Sequence, residues 1–260
     1  MKSLIRRFRR RLGSAAALSS DELQEQQLQS LRQRLPDATD VELDVIASVQ
    51  SDTMTSPERI LALCRAVDHL AKHDIEGDIV ECGVWRGGSM AATAKTLIKH
   101  QRMTPQLWLY DTFEGMSEPD SRDVDFMGQE ASELLAKQQR DDETSIWCYS
   151  PMEYVRQTML ATDYPESKIQ LVPGKVEDTL PVTLPEKISL LRLDTDWYES
   201  TRCEMEYLFP RVVDGGILIV DDYGHWEGCR RAVDEYLEQN NVRLFLHRID
   251  YTGRLAVVSR

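Results

Sequence analysis

The sequence predicts an α/β fold, in which a doubly wound, mostly parallel sheet follows N-terminal helices and ends in an antiparallel hairpin. From residue 77 onward, short apolar runs rich in β-branched residues alternate with amphipathic helical segments. Such alternation is typical of a parallel sheet that is covered by helices on both faces. The last two predicted strands are joined by a turn at residues 250–253 with no helix between them, which indicates an antiparallel pair.

The elements can be placed along the chain by their periodicity. Residues 13–50 are helical in pattern, with a partial leucine stripe that Pro36 interrupts, and a second helix follows over 56–72. The predicted strands are 78–83, 107–111, 168–174, 187–194, 215–222, 243–249 and 254–259. The predicted helices between them are 88–100, 151–161, 199–212 and 227–239. A parallel sheet that ends in such a hairpin is the pattern of class I methyltransferases.

The chain is predicted to consist of an N-terminal segment and one main domain. Residues 1–50 form a basic leader with helices, and residues 51–260 form the main domain. Residues 112–147 are rich in acids and show no strand pattern, so we expect a partly helical acidic insertion there. A chain of 260 residues can bury a large core without the help of disulfides or a structural metal. The N-terminal helices are candidates for contacts in a homo-oligomer.

Net charge and the lack of long apolar runs argue against nucleic acid and a membrane as partners. Lys and Arg number 31 against 44 Asp and Glu, a net charge of −13, which argues against nucleic acid as a ligand. Residues 1–12 are basic but lack the apolar run of a signal peptide, and no stretch approaches the ~20 apolar residues of a membrane span.

The five cysteines are scattered with no C-x-x-C pair, which favours reduced thiols and a cytoplasmic location.

A glycine-rich segment, ECGVWRGGS at 81–89, follows the first predicted strand and opens a helix. Glycines at this point let the backbone approach a ligand at the helix N-terminus. The spacing differs from the G-x-G-x-x-G of dinucleotide sites, because Gly83 is followed next by Gly87 and Gly88. Glu81 suits a ligand with a cationic or hydroxyl-bearing part better than a pyrophosphate. A purely structural tight turn is the alternative.

Asp111 ends the next predicted strand. In doubly wound folds an acid at this point grips the two hydroxyls of a ribose. Because NAD and S-adenosylmethionine both contain a ribose, this residue predicts a nucleoside ligand without naming it. A carboxylate that only caps a helix is the alternative.

Four carboxylates follow two central strands, in LRLDTDWYEST (191–201) and LIVDDY (218–223). The carboxyl ends of neighbouring parallel strands form the ligand-binding edge of an open sheet. Clustered carboxylates repel one another, and a hard divalent cation with oxygen ligands relieves that repulsion. We therefore expect Asp194, Asp221 and Asp222 to bind Mg²⁺ and Asp196 to act as a general base. Unrelated helix caps are the alternative.

Six segments together carry a family resemblance: DIVECGVWRGGSM, LYDTFEGM, PGKVEDTLP, LRLDTDWYEST, GGILIVDDYGHWEG and RIDYTGR. Over residues 50–253 the chain resembles the macrocin O-methyltransferase family, whose members methylate sugar hydroxyls on antibiotics such as macrolides and aminocoumarins. The resemblance implies a class I methyltransferase fold, S-adenosylmethionine and Mg²⁺ as cofactors, and a hydroxylated, glycosylated small molecule as the substrate. It also implies the same metal ligands and the same base, Asp196.

The resemblance extends to the cofactor and the substrate. The predicted cofactor-binding residues are Glu81, Gly83, Arg86, Gly87, Ser89, Asp111, Thr112, Phe113, Val176 and Glu177. Residues 51–59 correspond to a lid or substrate region, so Met54 and Thr55 are candidate substrate contacts. His225 is a candidate for substrate contact or for a second base, and it can equally be structural.

Two other functions compete with this interpretation. A catechol-type O-methyltransferase has similar acid-rich strand ends but commonly carries a lysine shortly after the first metal aspartate, where this chain has Asp196, Trp197 and Tyr198. A non-catalytic nucleoside-binding protein is the other alternative. The complete carboxylate set argues against it, because clustered acids destabilise a fold that binds no cation.

Overall fold

The computed structural model describes residues 19–138, 145 and 147–259. The predicted basic leader at 1–12 and part of the acidic insertion therefore lie outside the described residues. The described residues begin with two helices, α1 (Ser20–Arg34) and α2 (Asp40–Val49). Each begins with a capping box, in which Ser19 pairs with Glu22 and Thr39 with Glu42.

The sheet has seven strands in the order β3-β2-β1-β4-β5-β7-β6, and it confirms the predicted doubly wound topology. Its strands are β1 (Asp78–Cys82), β2 (Leu107–Asp111), β3 (Ile169–Pro173), β4 (Ile188–Leu193), β5 (Val212–Val220), β6 (His247–Arg248) and β7 (Arg254–Val257). Strands β1 to β5 are parallel, whereas β7 runs antiparallel to both β5 and β6. The carboxyl ends of β1, β2, β4 and β5 therefore meet at one edge.

Helices cover both faces of the sheet. After α1 and α2 come α3 (Pro57–Lys72), α4 (Gly88–Lys99), α5 (Ala131–Ala136), α6 (Met152–Leu160), α7 (Val176–Thr179), α8 (Tyr198–Tyr207) and α9 (Glu227–Gln239). Adjacent strand residues alternate between two apolar clusters, with Ile79 and Ile217 in one and Val80 and Leu218 in the other. Apolar side chains of α1 to α4 fill the first cluster, so the N-terminal helices share a core with the sheet.

Several predicted boundaries were wrong. The helix predicted at 199–212 ends at Tyr207, because Pro210 lies in the 3₁₀ turn Phe209–Arg211 and has no N–H to continue the helix. The following strand therefore begins at Val212, three residues earlier than predicted. The strand predicted at 243–249 pairs with β7 only at His247 and Arg248. Its upstream residues alternate between half-buried and exposed, which explains the strand pattern, but they form no ladder.

The described part of the acidic insertion is partly helical, as predicted, with α5 at its centre. Before α5 the chain forms a small hairpin, in which Val124 pairs with Glu130, and Asp125 pairs with Trp226 at the start of α9. Among the described residues, no helix has the length and apolar character that crossing a membrane requires.

Candidate active site

The glycine-rich loop between β1 and α4 is organised by Asp111. Its Oδ2 accepts hydrogen bonds from the backbone N–H groups of Val84 at 2.7 Å and Trp85 at 3.1 Å, and its Oδ1 accepts one from Phe113 at 2.8 Å. Gly87 caps α4 in the left-handed region, with a φ of +84°. Burial raises the pKa of Asp111, and the three backbone donors oppose that rise. The residue predicted to grip a ribose thus also fixes the loop.

Arg192, in the middle of the carboxylate-rich edge, was not predicted as a site residue. It is buried on β4 and forms an ion pair with Glu81 at the end of β1. It also contacts Asp194 at 2.7 Å and Asp221 at 2.5 Å, and it donates to the Thr55 hydroxyl at 2.8 Å. One guanidinium therefore connects the glycine-loop strand, the two metal-ligand candidates and the segment before α3.

A second arginine approaches the same carboxylates from α3. Arg59 forms an ion pair with Asp221 and lies 3.1 Å from Asp250, whose other contacts include the Ser56 hydroxyl at 2.9 Å. A divalent cation was the predicted source of neutralising charge, and two arginines supply such charge as well. Arg192, two residues before Asp194 on β4, and Arg59, on α3, each offset part of the negative charge.

Asp194, Asp221 and Asp222 converge as predicted from the strand ends. One carboxylate oxygen of each lies within 4.8 Å of the others. Three carboxylates at this spacing are the hard oxygen donors that Mg²⁺ takes, so the donor set fits that ion. Burial raises the pKa of Asp194 well above its ordinary value; Arg192 opposes this shift, and the negative charge of Asp222 adds to it.

Asp196 lies two residues beyond Asp194, where the chain leaves the strand direction. Its φ of +72° is in the left-handed region, so its side chain turns out of the strand pattern. Its Oδ2 accepts a hydrogen bond from the Trp226 indole at 3.2 Å. Burial raises its pKa well above the ordinary value, and Asp222 and Asp194 raise it further. The intervening Thr195 donates to the fully buried Glu204 at 2.8 Å, which anchors the turn.

These side chains surround a cavity of about 350 Å³ at the carboxyl edge of the sheet. Most of the predicted site residues line it: Met54, Thr55, Glu81, Gly83, Ser89, Asp111, Thr112, Val176, Glu177, Asp194, Asp196, Asp221, Asp222 and His225. Arg86, Gly87 and Phe113 lie outside the lining. The Arg86 guanidinium stacks on Trp85 and Tyr154, with 4.7 Å and 5.2 Å to the ring centroids.

The half of the cavity next to the glycine loop offers acceptors for a polar ligand. Glu81 Oε2 is buried and has no hydrogen-bond partner among the described residues, although its other oxygen pairs with Arg192. An unpaired buried acceptor at a cavity wall is destabilising unless a ligand donates to it. The position and charge of Glu81 fit the ammonium group of an amino-acid moiety, such as that of S-adenosylmethionine.

Sequence reasoning missed several lining residues. Arg59, Trp197, Trp226 and Tyr251 all face the cavity. Arg192 had one usable signal, since it is a charged residue inside an otherwise apolar strand, and buried charges are usually paired. Arg59 ends the segment 51–59 that was predicted as a lid or substrate region, but its contact with the carboxylates was not predicted, because an arginine in an amphipathic helix is ordinarily solvent-exposed.

Together, the strand order and the carboxylate-lined cavity at the carboxyl edge are those of class I O-methyltransferases. The chain belongs to the macrocin O-methyltransferase family: the family model described as Macrocin-O-methyltransferase (TylF) matches residues 7–256. It is therefore an O-methyltransferase, and the family resemblance noted in the sequence is confirmed.

Relatives and a solved structure support this assignment. The chain is 34% identical over 203 residues, 77% of its length and 73% of the relative's, to the 8-demethyl-8-(2,3-dimethoxy-alpha-L-rhamnosyl)-tetracenomycin-C 4'-O-methyltransferase of Streptomyces olivaceus. It is 32% identical, with 77% and 73% coverage, to the demethyldecarbamoylnovobiocin O-methyltransferase of Streptomyces niveus. The structure of the O-methyltransferase NovP superposes with a TM-score of 0.68 at 30% identity, covering 80% of this chain and 83% of that chain.

Proposed function

We propose that this chain transfers a methyl group from S-adenosylmethionine to a hydroxyl of a sugar carried by a small molecule, with Mg²⁺ as the metal cofactor. The observation that carries the proposal is the convergence of Asp194, Asp221 and Asp222 within 4.8 Å in a cavity that Asp196 also lines. The names of the relatives support an antibiotic-sugar acceptor, since one describes a rhamnosyl tetracenomycin and another a novobiocin precursor.

The cofactor is assigned to the half of the cavity bounded by the glycine loop. Glu81 would accept from the cationic amino group, Asp111 would accept from the ribose, and Val176 and Glu177 lie where the adenine is expected. The carboxylates of the cavity favour the sulfonium cofactor over its neutral product, because opposite charges attract more strongly away from bulk water.

The metal would be held by Asp194, Asp221 and Asp222. When bound, Mg²⁺ lowers the pKa of a coordinated hydroxyl, which a sugar hydroxyl needs in order to lose its proton near neutral pH. Both oxygens of Asp221 are paired, one with Arg59 and the other with Arg192, so the oxygen that coordinates the ion must be released or shared. Arg59 retains its second partner, Asp250, in either case.

Asp196 would remove the acceptor proton. Its carboxylate is fixed by the Trp226 indole and by the turn that Glu204 anchors. As the hydroxyl oxygen bonds to the methyl carbon, the bond from that carbon to the sulfonium sulfur breaks and the sulfur keeps its electron pair. The proton passes to Asp196, and the products are a methyl ether and S-adenosylhomocysteine.

Calorimetric titration tests the cofactor assignment. We expect S-adenosylmethionine to bind with a Kd between roughly 1 μM and 1 mM, NAD not to compete, and Glu81→Gln to weaken binding because the ammonium loses an anionic partner. Ser117→Ala, a lining residue outside the proposed cofactor contacts, serves as the control. Tight binding of NAD without binding of S-adenosylmethionine would overturn the proposal.

Two further expectations stay predictions. A cytoplasmic location is supported by the five cysteines, none of which is in a disulfide. A homo-oligomer through α1 and α2 is supported by the exposed apolar side chains of Leu23 and Val41, which are 53% and 47% exposed. Light scattering of the full chain checks the second expectation.

A further inference from the structure

The hairpin that precedes α5 is held rigidly against the start of α9. The Glu227 N–H donates to the Val124 carbonyl at 2.8 Å, next to the backbone bridge between Asp125 and Trp226. The Asp125 carboxylate accepts from the N–H groups of Met127 and Gln129, both at 2.8 Å, and thereby closes the tip. The tip of the hairpin, residues 125–129, is therefore an ordered part of the surface.

This fixed tip presents two large apolar side chains to solvent. Phe126 is 58% exposed and Met127 is 78% exposed. The Phe126 ring meets two others edge-on, His225 at 5.4 Å and Tyr251 at 6.1 Å between centroids. We call Phe126, His225 and Tyr251 the aromatic rim. Exposed apolar side chains that form a contiguous patch, in contrast to ones that lie singly, mark candidate interaction sites.

The aromatic rim continues directly into the active-site cavity. His225 and Tyr251 line the cavity together with the carboxylates, and the Tyr251 hydroxyl lies 3.3 Å from His225 Nδ1. The next ring inward is Trp226, which is 4.8 Å from His225 between centroids and hydrogen-bonds to Asp196. A substrate whose sugar reaches Asp196 would therefore place its remaining part against the aromatic rim.

The charges of the cavity discriminate between two carriers of a sugar. Among the described residues that line it, the Lys and Arg side chains are Arg59 and Lys175. Arg59 is already paired with Asp221 and Asp250, and Lys175 follows β3 at the proposed adenine end. The acids that line the cavity are Glu81, Asp111, Glu177, Asp194, Asp196, Asp221 and Asp222. These acids would repel a diphosphate, which is itself negatively charged. An uncharged ring system has no charge for them to repel.

We propose that the aromatic rim binds a flat, uncharged ring system attached to the acceptor sugar, so that the substrate is an aryl-type glycoside and not a nucleoside diphosphate sugar. This inference rests on the proposed function and adds the residues that select the acceptor. Flat rings gain edge-to-face and stacking contacts with the rim, and they displace water from its exposed apolar surface.

Calorimetry on the enzyme loaded with Mg²⁺ and S-adenosylhomocysteine tests the proposal with three ligands of one sugar. The ligands are 4-methylumbelliferyl α-L-rhamnoside, methyl α-L-rhamnoside and thymidine diphosphate rhamnose. We expect the aryl glycoside to bind roughly three- to tenfold more tightly than the methyl glycoside, with the sugar nucleotide weakest. Phe126→Ala should abolish most of that ratio, and Tyr251→Phe, which keeps the ring, should preserve it.

The matched control is Phe245→Ala, since Phe245 is 83% exposed and does not line the cavity. Equal affinities of the two glycosides, tightest binding by the sugar nucleotide, no measurable binding of the aryl glycoside, or an unchanged ratio in Phe126→Ala would each overturn the proposal. Methyl transfer to methyl α-L-rhamnoside reports separately on the proposed function. Transfer without an aryl preference would leave the function standing while the rim proposal fails.

Discussion

Arg192 and Asp221 form a buried ion pair between neighbouring strands, with 2.5 Å from Nη2 to Oδ1. The same guanidinium pairs with Glu81 on β1 and with Asp194 at the end of β4. Because three carboxylates share one cation, each of them is held in a fixed position before any ligand binds. The ion pair thus links the proposed cofactor residue to the proposed metal residues.

Replacing Arg192 should destabilise the fold strongly. Arg192→Met leaves Glu81 and Asp221 buried without this partner, so we expect the free energy of unfolding to fall by about 3–5 kcal/mol. Arg192→Lys keeps the charge but loses the forked geometry, and its loss should be smaller. Urea denaturation measures both.

The control for this prediction is Arg202→Met. Arg202 is 47% exposed and pairs with Glu199 and Glu206 on the surface of α8, so its replacement should change stability by at most about 1 kcal/mol. A similar loss in Arg192→Met and Arg202→Met would mean that the buried network contributes no more than a surface pair.

Removing the proposed base should reduce turnover while leaving binding intact. Asp196→Asn keeps the size of the side chain and can still interact with Trp226, but it cannot take the proton. We expect kcat to fall by roughly 10²–10⁴, with unchanged affinity for S-adenosylhomocysteine. Stopped assays with labelled cofactor give kcat, and calorimetry gives the affinity.

The parallel variant His225→Gln separates the two candidate bases. Near-normal turnover in Asp196→Asn together with a large loss in His225→Gln would assign the base to His225 and contradict the role given to Asp196.

Gly83 should tolerate no side chain, because a Cβ there would overlap the Asp194 carbonyl. Gly128 has a similar positive φ, +84° against +79°, but nothing lies within 4 Å of its Cβ position. We expect Gly128→Ala to lower the free energy of unfolding by about 1–2 kcal/mol and Gly83→Ala by about 2–5 kcal/mol. Thermal unfolding of the two variants compares them, and equal losses would show that the close approach to Asp194 has no energetic consequence.

The reactivity of Cys148 should report the charge of the cavity. Burial raises the pKa of this cavity-lining thiol well above its ordinary value, and the charges of Asp196, Asp194 and Asp222 add to the rise. Since the thiolate is the form that is alkylated, iodoacetamide should modify Cys148 more slowly at pH 8 than a free cysteine, and faster as the pH rises.

Mg²⁺ should accelerate the alkylation of Cys148, because neutralised carboxylates no longer oppose the thiolate. Peptide mass mapping follows the reaction. Cys64, whose pKa burial raises to about 11, lies outside the cavity and serves as the control. A rate at Cys148 that does not respond to Mg²⁺ would contradict the placement of the ion.

The sheet and the convergence of the acidic residues could be predicted because both follow from local pattern and topology. Apolar runs such as 78–82 and 188–193 reveal strands, and the carboxyl ends of parallel strands meet at one edge. Asp194 and Asp221 follow such runs directly, so their proximity required no knowledge of side-chain packing.

The partners of those acids could not be predicted in the same way. Arg59 is 162 residues away from Asp221 in sequence, and nothing in the periodicity of α3 indicates which face meets the sheet edge. Phe126 lies in an acidic segment without repeating pattern, and its hairpin is fixed by Asp125 and by pairing with Trp226. Both depend on contacts between distant segments, which patterns within one segment do not encode.

Metal dependence tests the central claim most directly. Turnover should vanish after dialysis against EDTA and return with Mg²⁺, and calorimetry of the wild-type chain should show one Mg²⁺ site that Asp222→Asn loses while S-adenosylhomocysteine still binds. Full turnover in EDTA, or an Asp222→Asn variant that binds Mg²⁺ normally, would contradict the assignment of the three carboxylates to the metal.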